Sequence, residues 1–230
     1  MSIHFLMKLN LTLVLFFPYL LNLNHAIIGR DQLSIVGLNQ FKTPESRSAT
    51  PNNDQVLLFK NLARDAFIYL NEFRGRPAFY GSKIGLDLRN VKNTRALTWD
   101  PVLAAAAEEK AYDMANENFF SHVDHEGHGM NFRVQQKGYL LPPEWTAKQS
   151  ANFIESIAAN SKDPAHFIDQ LIIDKGISGK GHRQHLLAIS HFYNNASRIG
   201  IAIAYNRNST YKYYCCILIA PRFANVASDD

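Results

Sequence analysis

Three short stretches place a histidine or an acidic residue inside an apolar frame, and these residues could do chemistry. His122 follows two phenylalanines, Glu155 stands in an apolar run, and His182 precedes two leucines by a few residues. A polar side chain among apolar neighbours is either a satisfied core group or part of a site. Three such stretches along one chain predict that they converge on a single cleft.

The chemistry open to these residues includes metal binding. Neutral imidazole is a common Zn²⁺ ligand, and two histidines leave coordination positions for water or a ligand. His122 and His182 could therefore bind Zn²⁺ or another divalent ion, while Glu155 orients an imidazole or activates water. The alternative is a structural role, in which the carboxylate orients a histidine inside a polar cleft.

Two other patterns near His122 are interpreted as non-catalytic. His125 and His128 follow it at intervals of three, a pattern similar to a metal-binding cluster, but the segment holds two glycines and is predicted to be a surface loop. Ser121 is adjacent to His122, and neighbouring side chains seldom face each other. No nucleophile-elbow pattern surrounds this serine, so we do not interpret it as a nucleophile.

The first 53 residues are predicted to lie outside the folded domain. Lys8, the nearly apolar run 9–21 and Ala26 match a secretory signal over residues 1–26. The run is shorter than the about 20 apolar residues of a membrane span, and an uncleaved N-terminal anchor is the alternative. Residues 27–53 lack an apolar period and are predicted to be a linker or disordered arm. The predicted location is therefore secreted or cell envelope, either extracellular or periplasmic, with no membrane domain after cleavage.

Charge and cysteine content exclude two classes of protein. The 230-residue chain has a net charge of +4 without a dense Lys/Arg cluster, which argues against a nucleic-acid partner. The only cysteines, Cys215 and Cys216, are adjacent, and a bond between neighbours is strained. The fold therefore does not rest on disulfides. Strand alternation predicts one cysteine in the core and one partly exposed.

The first half of the chain predicts two long helices. Helical spacing of apolar residues predicts a helix from about Gln55 to Phe73 that Gly75 and Pro77 end. Residues 75–95 are predicted to be a long surface loop. Asp100 as N-cap and Pro101 in the first turn open a second helix that continues to Asn116.

The second half predicts a small sheet between helices. A short helix is predicted at 131–137, followed by an irregular stretch at 139–150 and a strand at 151–158. A helix after Asp163 and a short helix near Leu187 come next. The last element is a hairpin of 198–205 with 211–220. In the first hairpin strand, isoleucines face one side, and glycine and alanines face the other, which permits close helix packing. The order is typical of an α+β fold with a small antiparallel sheet covered by helices.

Six motifs in order resemble the CAP superfamily, which comprises cysteine-rich secretory proteins, antigen 5 and plant pathogenesis-related group-one proteins. The disulfide-poor bacterial branch is the most similar. The motifs are Leu70-Asn71-Glu72-Phe73-Arg74, Leu97-Thr98-Trp99-Asp100-Pro101, Phe120-Ser121-His122, residues 152–158 around Glu155, Gly181-His182-Arg183-Gln184-His185-Leu186-Leu187, and Arg198-Ile199-Gly200-Ile201-Ala202. The resemblance covers about residues 55 to 223 and implies a CAP domain at 54–224.

The resemblance implies an α-β-α sandwich with a cleft that two histidines and two acidic residues line. Three of these carry over as His122, Glu155 and His182. The second acid of the family lies three residues after a helix aromatic. Leu171 stands in place of that aromatic, which makes Asp174 the fourth residue of the cleft.

The chain departs from the family pattern on both sides of this cleft. Asn152-Phe153 and Ser156 stand where the family has small-Gly and Asn around the glutamate. His185 replaces the Asn of the Gly-His-Arg motif and adds a titratable group.

The predicted function is an exported, monomeric binding or interaction module with an unknown protein or lipid partner. One alternative is a metal-dependent hydrolase, perhaps of peptides. Another is a lipid or sterol carrier, with an apolar groove of aromatic residues that core packing would explain equally well. Those aromatic residues are Phe132, Tyr139, Trp145 and Phe153.

Overall fold

The structure is a computed structural model that describes residues 55–92 and 95–222. The predicted signal segment and linker lie outside the described residues. The strands are β1 (Leu57–Leu58), β2 (Thr98–Trp99), β3 (Glu155–Ala159), β4 (Ala196–Tyr205) and β5 (Tyr213–Pro221). The helices are α1 (Lys60–Gly75), α2 (Pro77–Lys83), α3 (Pro101–Asn116), α4 (Met130–Gln136), α5 (Pro143–Thr146), α6 (Pro164–Ile173) and α7 (Gly181–Leu187). Short 3₁₀ turns lie at Ser178–Lys180 and His191–Tyr193.

The strands form one sheet in the order β1-β4-β5-β3, with β2 pairing in parallel with β4. The predicted hairpin is confirmed: β4 and β5 pair antiparallel with Ile199 opposite Ile219. Strand β3 pairs antiparallel with β5, with Glu155 opposite Leu218. Among the described strands, β3 is therefore an edge of the sheet, and Glu155 lies at its first residue.

Helices cover both faces of the sheet, which confirms the α-β-α sandwich. Ile199, Ile201 and Ile203 point into a core with α1, α6 and α7, while Ala202 and Ala204 point into a second core with α3. This division follows from the two-residue period of a strand. Gly200 lies between Ile199 and Ile201 in β4. A Cβ added to Gly200 would lie 2.2 Å from the Ala104 backbone nitrogen. The backbone of α3 therefore packs directly on the sheet.

The start of α1 and the loop after it differ from the prediction. The first helix begins at Lys60 because the preceding Leu57–Leu58 pairs with β4, and the Phe59 amide donates to Ile203 O at 2.9 Å. Pro77 opens α2 instead of only ending α1, since proline suits the first helical turn. The predicted long surface loop thus contains a helix.

The predicted N-cap of α3 and the predicted start of α6 after Asp163 are confirmed. Asp100 Oδ1 accepts hydrogen bonds from the Val102 and Leu103 amides at the start of α3. The Asp163 carboxylate accepts from the Ala165 amide at the start of α6. The predicted irregular stretch contains the four-residue α5, and β3 begins at Glu155, later than the predicted strand.

Both cysteines are buried and free, so the prediction that one is partly exposed is wrong. The reason is the sandwich itself: Cys215 packs in one core and Cys216 in the other. Burial raises the pKa of both thiols above the ordinary value. Buried thiols with raised pKa values are poor nucleophiles, so neither cysteine is a reactive group.

None of the helices within residues 55–92 and 95–222 combines the length and apolar content that a bilayer crossing requires.

Candidate functional site

The four residues predicted for the cleft lie together at the edge strand of the sheet. Glu155 is the first residue of β3, and His122 lies in the loop between α3 and α4. Asp174 caps the C-terminus of α6, and His182 is the second residue of α7. Because α3 and α6–α7 cover opposite faces, the layers bring one histidine each to this edge.

The first pair joins His122 to Glu155. His122 Nδ1–H donates to Glu155 Oε2 at 2.7 Å, and Asn152 Nδ2 donates to the same oxygen at 3.0 Å. The thiol of Cys216 lies 3.7 Å from the other carboxylate oxygen and donates to it. The Glu155 side chain is fully buried, whereas 43% of the His122 side chain is exposed. The buried Glu155 carboxylate thus orients the His122 ring through its Nδ1 atom.

The second pair joins His182 to Asp174. His182 Nδ1–H donates to Asp174 Oδ1 at 2.7 Å, and the His182 amide donates to Oδ2 at 3.0 Å. Asp174 has a left-handed backbone with φ of 51°, a conformation that aspartate tolerates better than most residues. This turn after α6 aims the buried carboxylate back at α7. The structure therefore places Asp174 behind the second imidazole.

The two imidazoles face each other across the cleft. Their ring centroids are 6.3 Å apart and their planes differ by 30°. Since each Nδ1–H donates to a carboxylate, each neutral ring keeps a lone pair on Nε2. The pocket in front of them has a volume of about 670 Å³. Its lining also includes Lys148, Phe153 and Tyr193.

The chemistry of this pair suits a metal ion held by two protein ligands, because imidazole nitrogens are donors that Zn²⁺ accepts. A tetrahedral ion with bonds of about 2.0–2.1 Å to both Nε2 atoms would hold the ring centroids roughly 5 Å apart, so the rings would have to approach by about 1 Å from the observed 6.3 Å to bind it. Within the described residues, no group of three or more His, Cys, Asp or Glu side chains is arranged to hold a metal. The chain would thus supply two nitrogen donors, and water or a ligand the others.

Two of the residues that depart from the family pattern, Ser156 and His185, contact each other. Ser156 Oγ lies 2.8 Å from His185 Nδ1, and His185 Nε2–H donates to the Ile219 carbonyl at 3.2 Å. A carbonyl only accepts, so Nε2 carries the proton and Ser156 donates to Nδ1. The pKa of His185 is lowered to about 4, mainly by burial, with a smaller contribution from the nearby His182 and Arg74; the hydrogen bond to the Ile219 carbonyl opposes this shift. His185 is thus a neutral core group beside the cleft.

The remaining histidines near the site lie in other contacts. His125 Nε2 lies 3.2 Å from the Glu117 carboxylate, and its ring packs on Phe119. The ring of His128 stacks on Phe132 with centroids 4.4 Å apart. Both residues lie in the irregular segment between α3 and α4, as predicted.

The four aromatic residues proposed for an apolar groove do not form one cluster. Trp145 contacts Phe153, but the Phe132 ring stacks on a histidine. Tyr139 is buried, and its hydroxyl donates to the Pro221 carbonyl. The sequence interpretation also missed Phe192, which completes an aromatic cluster with Trp145 and Phe153. Its spacing from them along the chain carries no signal of this contact.

The partners of Glu155 were the other omission. In the sequence, Asn152 stands out only as a departure from the family pattern, and Cys216 only as a strand residue. Cys216 reaches the carboxylate because β5 pairs with β3 in a register that places it opposite Ile157. That register depends on the folded sheet.

Comparison with known proteins identifies the family. Residues 68–218 match the family model described as "CAP: Cysteine-rich secretory protein family". The match spans well over half of the chain, so the protein belongs to the CAP family. The name describes other members better than this chain, which has two cysteines and no disulfide between them.

Similar solved structures include two bacterial proteins. An outer surface protein from Borrelia burgdorferi aligns with a TM-score of 0.49 and 13% identity, covering 74% of this chain and 99% of that chain. An extracellular protein containing an SCP domain from Bacillus anthracis aligns with a TM-score of 0.41 and 18% identity, covering 70% of this chain and 41% of that one. No curated protein matches the chain significantly.

Proposed function

We propose that this CAP protein is an exported binding module whose cleft holds a divalent metal ion between His122 and His182. The observation that carries the proposal is the pair of matched carboxylate–imidazole contacts, each 2.7 Å long, on facing rings. Export is supported by the signal-like pattern of residues 1–26.

The buried carboxylates would set the affinity of the two histidines for the ion. A carboxylate on Nδ1–H fixes the tautomer, orients the ring and raises the basicity of Nε2. Here both carboxylate side chains are almost fully buried, while the imidazole side chains are 43% and 22% exposed. A bound Zn²⁺ or similar ion would supply a Lewis acid with open positions for a ligand.

The geometry favours holding a ligand over hydrolysing one. A hydrolase would need a free base to activate water, and Glu155 and Asp174 are the nearest carboxylates. Both oxygens of Glu155 already accept hydrogen bonds, from His122 and Asn152 on one and Cys216 on the other. Both oxygens of Asp174 likewise accept from His182. Binding therefore ranks above peptide hydrolysis.

The experiment is a calorimetric Zn²⁺ titration of three forms of the protein. We expect one site in the wild type and none in the His122→Ala/His182→Ala variant. The matched control is His125→Ala/His191→Ala, which removes two exposed histidines outside the pocket and should keep the site. Equal binding by the two double variants would refute the cleft as the metal site.

A further inference from the structure

A cluster of three aromatic rings, one partly buried and two exposed, lies beside the cleft. Trp145 comes from α5, Phe153 from the loop before β3, and Phe192 from the turn His191–Tyr193. The Trp145 and Phe192 rings stack with centroids 4.8 Å apart, and Phe153 lies 5.8 Å from each of them. Phe153 is 41% exposed and Phe192 is 46% exposed. Three separate segments thus build one apolar surface that stays open to solvent.

The cluster meets the polar cleft at Phe153, which lines the same pocket as His122, His182 and Lys148. Trp145 and Phe192 lie behind Phe153, in ring contact with it. Exposed groups of large apolar rings are typical of binding surfaces, and ligand sites combine such surfaces with a few convergent polar groups. With the proposed metal ion bound, the pocket would present a cationic subsite, formed by the ion and Lys148, next to the apolar cluster.

We propose that the pocket binds the C-terminus of a peptide whose last residue has a large apolar side chain. The side chain packs on the aromatic cluster, and the α-carboxylate lies at the metal ion between the imidazoles, with Lys148 on the same lining. This inference rests on the proposed function for the carboxylate subsite. A carboxylate complements both cations, and its oxygens suit the positions that two imidazoles leave open.

The shape of the cluster favours a side chain over a fatty-acid tail. Apolar carboxylates come from both sources, and both would match the cationic subsite. The three rings form an exposed platform, and the two phenylalanines keep almost half of their surface in water. A platform of this kind covers one side chain, whereas a long alkyl chain would remain largely exposed to water.

The experiment measures binding of four probes to the Zn²⁺-loaded protein by calorimetry. The probes are N-acetyl-Gly-Phe, its C-terminal amide, N-acetyl-Gly-Gly, and dodecanoate. We expect N-acetyl-Gly-Phe to bind at least about tenfold more tightly than each of the other three. Equal affinity for the amide or for the glycine peptide would overturn the proposal, and tighter binding of dodecanoate would assign the pocket to fatty acids.

Variants of Phe192 test the apolar subsite. We expect Phe192→Ala to weaken binding of N-acetyl-Gly-Phe about tenfold, because truncating an aromatic anchor removes packed apolar area. Phe192→Trp keeps a ring and should keep most of the affinity. The matched control is Phe79→Ala on α2, which removes a phenylalanine that is 48% exposed and whose ring packs on Tyr80, outside the aromatic cluster. A loss in the control equal to that in Phe192→Ala would overturn the proposal.

Failure of this inference is distinguishable from failure of the proposed function. Zn²⁺ binding is measured separately, and Phe192→Ala should leave it unchanged because Phe192 makes no contact with either imidazole. Normal Zn²⁺ binding with no preference among the peptides would overturn the peptide site alone. Absence of Zn²⁺ binding would overturn the metal site and, with it, the carboxylate subsite.

Discussion

Burial of neutral His185 makes the stability of this domain fall as the pH falls below 6.5. The folded-state pKa is about 4, against an ordinary value of 6.5 in the unfolded chain. Between these values the unfolded state binds a proton that the folded state does not bind, so acid favours unfolding. The stability that neutral His185 contributes is fully present above its unfolded-state pKa of 6.5. It is lost progressively as the pH falls towards its folded-state pKa of about 4. From pH 7.5 to 4.5 the loss is about 2.5 kcal/mol.

The assay is urea unfolding of the wild type and His185→Asn at several pH values. Other groups titrate in the same range, but they contribute to both proteins, so the difference in unfolding free energy isolates His185. We expect the wild type to lose about 2.5 kcal/mol more than His185→Asn between pH 7.5 and 4.5. The control is His191→Asn, which replaces an exposed histidine. This variant should keep the pH dependence of the wild-type unfolding free energy unchanged. Parallel curves for wild type and His185→Asn would refute the reasoning.

Two further predictions address the core and the cleft. Gly200→Ala would place a Cβ 2.2 Å from the Ala104 backbone, so we expect urea unfolding to show a loss of about 3 kcal/mol. The control Gly75→Ala, with no atom within 4 Å, should stay within about 1 kcal/mol of the wild type, and equal losses would contradict the close packing of α3. Asp174→Asn keeps a residue that tolerates the left-handed turn but removes the charge behind His182, so Zn²⁺ affinity should fall about 10–100-fold by calorimetry. Unchanged affinity would show that the carboxylate does not tune the imidazole.

Local sequence signals predict much of this fold. The hairpin follows from two-residue alternation, and α3 and α6 follow from Asp100 and Asp163 before a proline. In contrast, β1 has two residues and exists because it pairs with β4, which is distant along the chain. The helix α2 begins at a proline that, in the sequence, was interpreted as the end of the preceding helix. Such short elements depend on tertiary contacts that local patterns do not encode.

The family motifs predict the site residues, and their chemistry predicts that Glu155 orients an imidazole, but the sequence does not predict which carboxylate contacts which histidine. The sequence does not say that Glu155 contacts His122, because the two approach the cleft from different elements. The contact of Ser156 with His185 is also invisible in sequence, although both positions stood out as departures. Pairing depends on how the helical layers lie against the edge strand, and that is a property of the whole sandwich.

The most direct test of the metal site is a crystal of this protein soaked in Zn²⁺, with anomalous diffraction measured at the zinc edge. The account predicts one strong peak between the two imidazoles, bound by Nε2 of His122 and Nε2 of His182, with each Nδ1 still on its carboxylate. A zinc ion bound at other residues, or no peak between these rings, would contradict it.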